Sequence, residues 1–412
     1  MSRLIFVPGA LALALLFTPA AWSASDAELA AIRDQIRELK SIYEARILAL
    51  EQRLQEAEVR AAQPAPVAPA PASALTASPA ASSLAAFNPA ISAILNGTYA
   101  NLSQDPKRFA IAGFAPPEGA GPGRRGFGLG ESELVFSANV DPQFSGSLIF
   151  TLTPENTVSV EEAYGLWLTA PFGLAPKFGR FFSGIGYMNE QHAHTWDFVD
   201  APLAYQAFLG GQYTQDGLQA KWIAPIDQFF ELGAEAGSGD RFPGGFRDRN
   251  GAGSGAVFAH AGGDIGESHS WRAGLSHLRA RESEASGAGR VSIADFVWKY
   301  APNGNSRETY FKLQGEYFDG RVRDAVSQSG WYLQGVYQFM PLWRVGARYD
   351  RLDPGSTAFR PERYSLMLDY SPSEFSRFRL QYAQAKLLPE VTDNQVLLQY
   401  ILTLGAHGAH RY

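Results

Sequence analysis

Cysteine is missing from all 412 residues. Without it the chain has neither a disulfide framework nor thiolate chemistry, so an exported protein of this composition must take its stability from another source. Beyond Phe17 no apolar run is long enough for a membrane-spanning helix. Blocks of basic residues are lacking too, and with a net charge of −6 the composition excludes nucleic acid as a partner. There is no Gly-x-Ser-x-Gly turn and no serine signature beside the histidines, so no catalytic role is expected.

What the chain does contain begins with an export signal. Arg3 gives a positive start, Leu4 to Phe17 a short apolar stretch interrupted by Pro8 and Gly9, and Ala21-Trp22-Ser23 the small residues that a signal peptidase reads. Residues 1–23 are expected to be removed after Ser23. From 26 to 60 the pattern is that of a narrow-seamed helix. Leu29, Ile36, Tyr43, Leu50 and Ala57 recur with a heptad period, flanked by Ile32, Leu39, Ile47 and Leu54, with charged and amide side chains between. Residues 61–86 are mostly Ala, Pro and Ser, a composition that stays extended and builds no core. A helix tethered by such a linker has only copies of itself against which to bury its seam, which predicts a periplasmic coiled coil and a homotrimer.

From 87 to 412 the period changes to two. Segments of about ten residues alternate apolar and polar positions between turn-rich stretches. Trp343, Val345, Ala347 and Tyr349 oppose Arg344, Gly346, Arg348 and Asp350; Tyr364, Leu366, Leu368 and Tyr370 oppose Arg363, Ser365, Met367 and Asp369. Aromatic residues, 13% of the chain, fall near the ends of these apolar faces, where membrane interfaces would lie. Strands are expected near 90–101, 131–140, 143–153, 158–170, 174–182, 212–223, 228–237, 254–264, 268–279, 290–300, 306–318, 329–340, 342–351, 362–371, 375–386 and 394–404. That gives about sixteen, with fourteen and eighteen as the neighbouring even counts. A soluble sandwich also alternates, but here tight turns such as Asp141-Pro142 and Met340-Pro341 fall on one side. The long stretches 102–130, 183–211, 238–253, 280–289 and 319–328 fall on the other. The expected fold class is all-β: a transmembrane antiparallel β-barrel of the bacterial outer membrane, preceded by a short α-helical coiled coil.

The segments Gly128-Leu129-Gly130-Glu131-Ser132-Glu133-Leu134, Lys177-Phe178-Gly179-Arg180-Phe181 and Arg348-Tyr349-Asp350-Arg351-Leu352 carry a family resemblance. The chain resembles the trimeric outer-membrane porin superfamily, in particular the phosphate-selective porin O/P-like members with an N-terminal periplasmic coiled coil. It is also similar, through the Leu404-Gly405-Ala406-His407-Gly408-Ala409-His410 tail, to Gram-negative outer-membrane proteins described as zinc-regulated receptors. The final alternating strand and terminal Tyr412 resemble the signal read by barrel-assembly machinery.

The resemblance implies that the loop after the fifth strand folds into the barrel and narrows it, which here is Ser183 to Gly211. That loop offers Glu190, His192, His194, Asp197 and Asp200 as constriction residues. Inward positions of the wall are expected to present Arg180, Lys221, Lys299, Lys312, Arg344, Arg348, Arg363, Arg377 and Arg379. Glu133, Glu161, Glu231, Glu235, Asp295, Glu308, Glu316, Asp350 and Asp369 share that wall. Opposed charges in a narrow pore orient dipolar solutes, and because the two signs nearly balance no ion preference is legible. Glu190, His192 and His194 also offer the imidazole and carboxylate donors that Zn²⁺ takes, and His407 and His410 offer a second set. The expected function is a passive channel for small hydrophilic solutes, with the lipid bilayer, lipopolysaccharide and barrel-assembly machinery as partners. The alternatives are a zinc-related uptake or binding protein and a structural envelope protein. An energised receptor needs a plug domain and a barrel of about 22 strands, for which the chain is too short.

Overall fold

The computed structural model describes residues 89–117, 119–246, 250–282, 288–322 and 326–405. The expected signal peptide, coiled coil and linker, and the tail bearing His407, His410 and Tyr412, lie outside the described residues.

The strands are β1 (Ala90–Leu102), β2 (two pieces, Gly126–Leu129 and Ser132–Asn139), β3 (Phe144–Leu152), β4 (Val158–Trp167), β5 (Leu174–Phe182), β6 (Thr214–Ile223), β7 (Phe229–Gly237) and β8 (Ser254–Ile265). They continue with β9 (His269–Arg281), β10 (Ala288–Tyr300), β11 (Tyr310–Arg321), β12 (Gln328–Met340), β13 (Trp343–Asp353), β14 (Glu362–Ser373), β15 (Ser376–Leu388) and β16 (Val391–Gly405). Both pieces of β2 pair with β1, so they act as one strand and the described barrel has sixteen. Each strand pairs antiparallel with the next, and β16 returns to β1 with Ser92 opposite Gly405 and Leu102 opposite Gln395. Closure pairs the backbone of what would otherwise be two edge strands, the source of stability that the lack of cysteine calls for.

Alternation places the apolar set outside. Leu218, Val257, Leu275, Phe296, Leu333, Leu366 and Leu398 are exposed on the outer face. Aromatic side chains cluster there at two levels. Trp331, Tyr349 and Tyr364 contact one another in series near the long-loop ends of their strands, the first pair edge-on and the second tilted, with ring centroids 5.3 and 4.6 Å apart. Trp343 and Tyr370 meet at 4.6 Å, and Trp298 and Tyr300 at 6.5 Å, near the short-turn ends. None of the described helices is long and apolar enough to cross a membrane.

The interior departs from the expected polar lining. The segment between β5 and β6 enters the lumen and forms a short helix, α1 (Leu203–Leu209), all of whose residues are buried. Ile185, Met188, Leu203, Tyr205, Phe208 and Leu209 from this loop pack with Phe258, Leu278, Ile293, Phe318, Tyr332 and Leu352 of the wall in one apolar cluster. The stretch between β1 and β2 adds Ile111 to it and sets Phe114 against Phe208 at 5.5 Å. Several inward wall positions facing α1, Phe318, Tyr332 and Leu352 among them, are therefore apolar, because they are the floor of a small core inside the barrel.

Candidate functional site

A loop inside a barrel brings backbone N–H and C=O groups to a depth where water is scarce, and each needs a partner. The wall supplies them by charge. On the β7–β11 side, carboxylates and a hydroxyl accept from the loop. Glu235 takes the Ser183 hydroxyl (2.6 Å) and Gly184 N–H (2.8 Å), Ser276 takes Gly186 N–H (3.0 Å), and Glu316 takes the N–H groups of Tyr187 and Met188 (both 3.1 Å). Glu316 also accepts from the hydroxyls of Tyr205 (2.9 Å) and Tyr332 (2.7 Å). On the β13–β15 side, guanidiniums donate to its carbonyls. Arg348 reaches Asp200 O (2.8 Å), Arg363 reaches Ala201 O (2.7 Å) and Arg379 reaches Trp196 O (2.7 Å). Asp350 accepts Leu203 N–H, the first of α1, at 2.8 Å.

These partnerships revise several expected pore-lining roles. Arg348, Arg363 and Arg379 face inward as predicted, but they are no more than 3% exposed. Arg348 and Arg363 clamp Asp200 from two sides (2.7 and 2.5 Å), and both also meet Asp350. Burial opposes ionisation of Asp200, but Arg363 and Arg348 outweigh it and hold its carboxyl down to about 2. Asp197 is held below the ordinary carboxylate range in the same way, burial being outweighed by Lys312 (2.5 Å) and Arg344 (3.1 Å). Arg344 reaches Asp369 as well. Arg377 touches the carbonyls of His194 and Trp196. Lys299 lies opposite Lys312 in the ladder. With Lys177, Lys221 and Arg272, these side chains make the wall basic toward the short-turn ends of the strands.

Arg180 is a correction. It shares its parity with exposed Phe178 and pairs across the ladder with Asp216 (2.6 Å), so it projects outward and not into the lumen. Phe181 and Lys177 hold the inward positions of β5, and alternation leaves Arg180 the other face. Glu308 is a second correction: it is exposed in the turn before β11, because that strand starts at Tyr310.

The expected metal set is regrouped. Glu190 points away from the histidines to Lys221 (2.5 Å), and despite burial that cation holds its carboxyl down to about 2. His192 and His194 flank the first residue of a 3-10 turn (Ala193–Thr195), their rings 5.7 Å apart, and face β2 and β4. His194 Nδ1 lies 2.8 Å from Glu133 Oε1. His192 Nδ1 lies 3.4 Å from Glu133 Oε2 and 3.4 Å from Glu161 Oε2, and its Nε2 lies 3.1 Å from Glu162 Oε2. Burial works against a charge on His192, yet the three glutamates outweigh it and raise its pKa well above the usual imidazole value. Strict alternation turns only one of Glu161 and Glu162 inward. The register shifts in β4, where Ile149 faces Glu162 and Phe150 faces Val160, and this bulge lets both reach the same imidazole. Sequence reasoning therefore missed Glu162, and it missed Glu133 as a histidine partner because that contact spans two distant segments.

No family model matches the chain. A relative from Aquifex aeolicus (strain VF5), an uncharacterised protein, is 29% identical over 341 residues, covering 70% of this chain and 71% of the relative. Among solved structures, the loop L8 deletion mutant of OmpT, an outer membrane protein of Vibrio cholerae, superposes with a TM-score of 0.54 at 13% identity, covering 77% of this chain and 100% of that one. The anion-selective porin from Comamonas acidovorans gives a TM-score of 0.52 at 10% identity over 77% of this chain and 99% of that one. At such identities the likeness is one of fold, in this chain a closed antiparallel barrel of sixteen strands.

Proposed function

We propose that the protein is an outer-membrane porin: a passive channel for small hydrophilic solutes, narrowed by the loop between β5 and β6, and not an enzyme. The observation that carries this reading is the closed barrel with an apolar, aromatic-edged outer face and an inward-folded loop whose backbone is satisfied by wall charges. Such an outer face suits lipid, and a barrel is the only sheet that can span it. The fold likeness to an outer membrane protein and to an anion-selective porin supports the same placement. In this reading solutes pass along the half-buried side of the loop, by Lys177, Glu190, Arg272, Lys299 and Arg377. That surface is predominantly basic, which favours anions.

The chain is further proposed to work as a homotrimer, with the expected coiled coil on the periplasmic side. Support comes from β2 to β6, where the outer wall carries the Arg180–Asp216 pair and the nearly fully exposed Phe127. Ionic groups on a lipid-facing wall are unfavourable, whereas a neighbouring copy can shield and pair them.

The test is conductance of the detergent-folded protein in a planar bilayer under a salt gradient. Discrete openings with a reversal potential of anionic sign are expected. A folded barrel that never conducts would remove the channel reading and leave a structural envelope protein.

A further inference from the structure

We propose that Glu133, His192 and His194, with Glu161 completing the set, form a site for a divalent transition-metal ion that fastens the inserted loop to the barrel wall. The donor atoms of Glu133, His192 and His194 all lie within 4.8 Å of one another. A tetrahedral ion with bonds of about 2.0–2.1 Å holds its ligands roughly 3.4 Å apart. Two of the separations match that value and one is shorter: 3.4 Å from His192 Nδ1 to both Glu133 Oε2 and Glu161 Oε2, and 2.8 Å for His194 Nδ1 to Glu133 Oε1.

Two further observations point to a cation. Glu133 is 4% exposed, yet its Oε2 makes no hydrogen bond, and neither does the buried Nδ1 of His192 that faces it. Buried polar atoms are ordinarily satisfied, and an ion between these two satisfies both at once. The surroundings then orient the ligands. Glu162 lies 3.1 Å from His192 Nε2 and can take its N–H, so that Nδ1 is the nitrogen whose proton an incoming ion displaces; this is the carboxylate–imidazole pairing that supports metal-bound histidines. Thr151 donates to Glu161 Oε2 at 3.2 Å and fixes that carboxylate. Two imidazoles with two carboxylates suit Zn²⁺ and its first-row neighbours; Ca²⁺ and Mg²⁺ prefer all-oxygen shells. Glu133 and Glu161 belong to β2 and β4 and the histidines to the loop, so occupancy would restrain the loop directly.

The experiment uses the full chain, folded in detergent, stripped with a chelator and titrated with Zn²⁺ by calorimetry, with Co²⁺ absorption as a second readout. A single saturable ion per chain is expected, with the intense visible bands of tetrahedral Co²⁺ and a rise in the temperature at which the barrel loses its folded gel mobility. His194→Gln and Glu133→Gln should each weaken binding at least about tenfold. Glu190→Gln, and a chain ending at residue 405, should bind unchanged. Absence of saturable Zn²⁺ binding by folded protein would overturn the proposal. So would binding that survives a His192→Gln/His194→Gln double substitution, which would place the ion elsewhere. If Glu133→Gln does not fold, the double substitution and the Co²⁺ spectrum decide alone.

Discussion

Asp200 shows how much a single side chain contributes to the placement of the loop. Its carboxylate joins Arg348 and Arg363, while its neighbour Ala201 offers Arg363 a carbonyl. Replacing Arg363 by Ala leaves Asp200 and the fully buried Asp350 short of a countercharge, a change that costs about 3–5 kcal/mol when a buried pair is broken. The variant should lose folded gel mobility at a lower temperature and show noisier, larger conductance. Acid should act on the same clamp. Because the carboxyl of Asp200 is depressed in the folded protein to about 2, its contribution is fully present above the ordinary Asp pKa of roughly 4 and is lost as pH falls toward that depressed value. Conductance and the fluorescence of Trp196 are expected to hold steady down to about pH 4 and to change below it. A transition confined to higher pH would exclude this clamp as its cause.

At the scale of elements, the loop and α1 form a folded unit with two kinds of attachment: apolar packing above and charged hydrogen bonds at the sides. Phe208 is fully buried and stacks on Phe318 at 5.8 Å. Phe208→Ala should destabilise by about 3–5 kcal/mol, most of it through the cavity left between α1 and the wall. The expected readout is a lowered thermal transition with the barrel itself still heat-modifiable. The chain path depends on Gly186 as well. Its φ of +67° is a left-handed conformation, and a Cβ there would collide with Glu316 Oε2 and the Tyr205 hydroxyl. The bulge in β4 is the other local device, since it is what allows Glu162 to join Glu161 on the imidazole of His192.

For the whole molecule, the outer wall is not uniform. β3 and β5 have 9 residues each, whereas β16 has 15. About 9–11 residues suffice for a tilted transmembrane strand, so β3 and β5 lie at the lower limit. The outward Arg180–Asp216 pair sits beside them. If this face packs against a second copy, Arg180→Ala should convert the proposed trimer to monomers on unheated gels while leaving the monomer barrel folded. Unchanged trimers in that variant would assign the pair to the stability of a single wall.

The periodicities of the sequence determined the barrel. Trp343 to Asp350 already separates a lipid-compatible face from a polar one, because a strand has only two sides and the apolar set must occupy the same one throughout. The strand count was legible for the same reason, whereas the inserted loop was expected only from the family resemblance. Alternation carries no information about what an inward side chain meets across the lumen. Only the tertiary structure decided that Arg348 and Arg363 grip Asp200, that Glu190 goes to Lys221, and that His192 and His194 meet Glu133 and Glu161. Those contacts join segments far apart in the chain, brought together by closure of the barrel and by the need of a buried loop to find partners for its backbone.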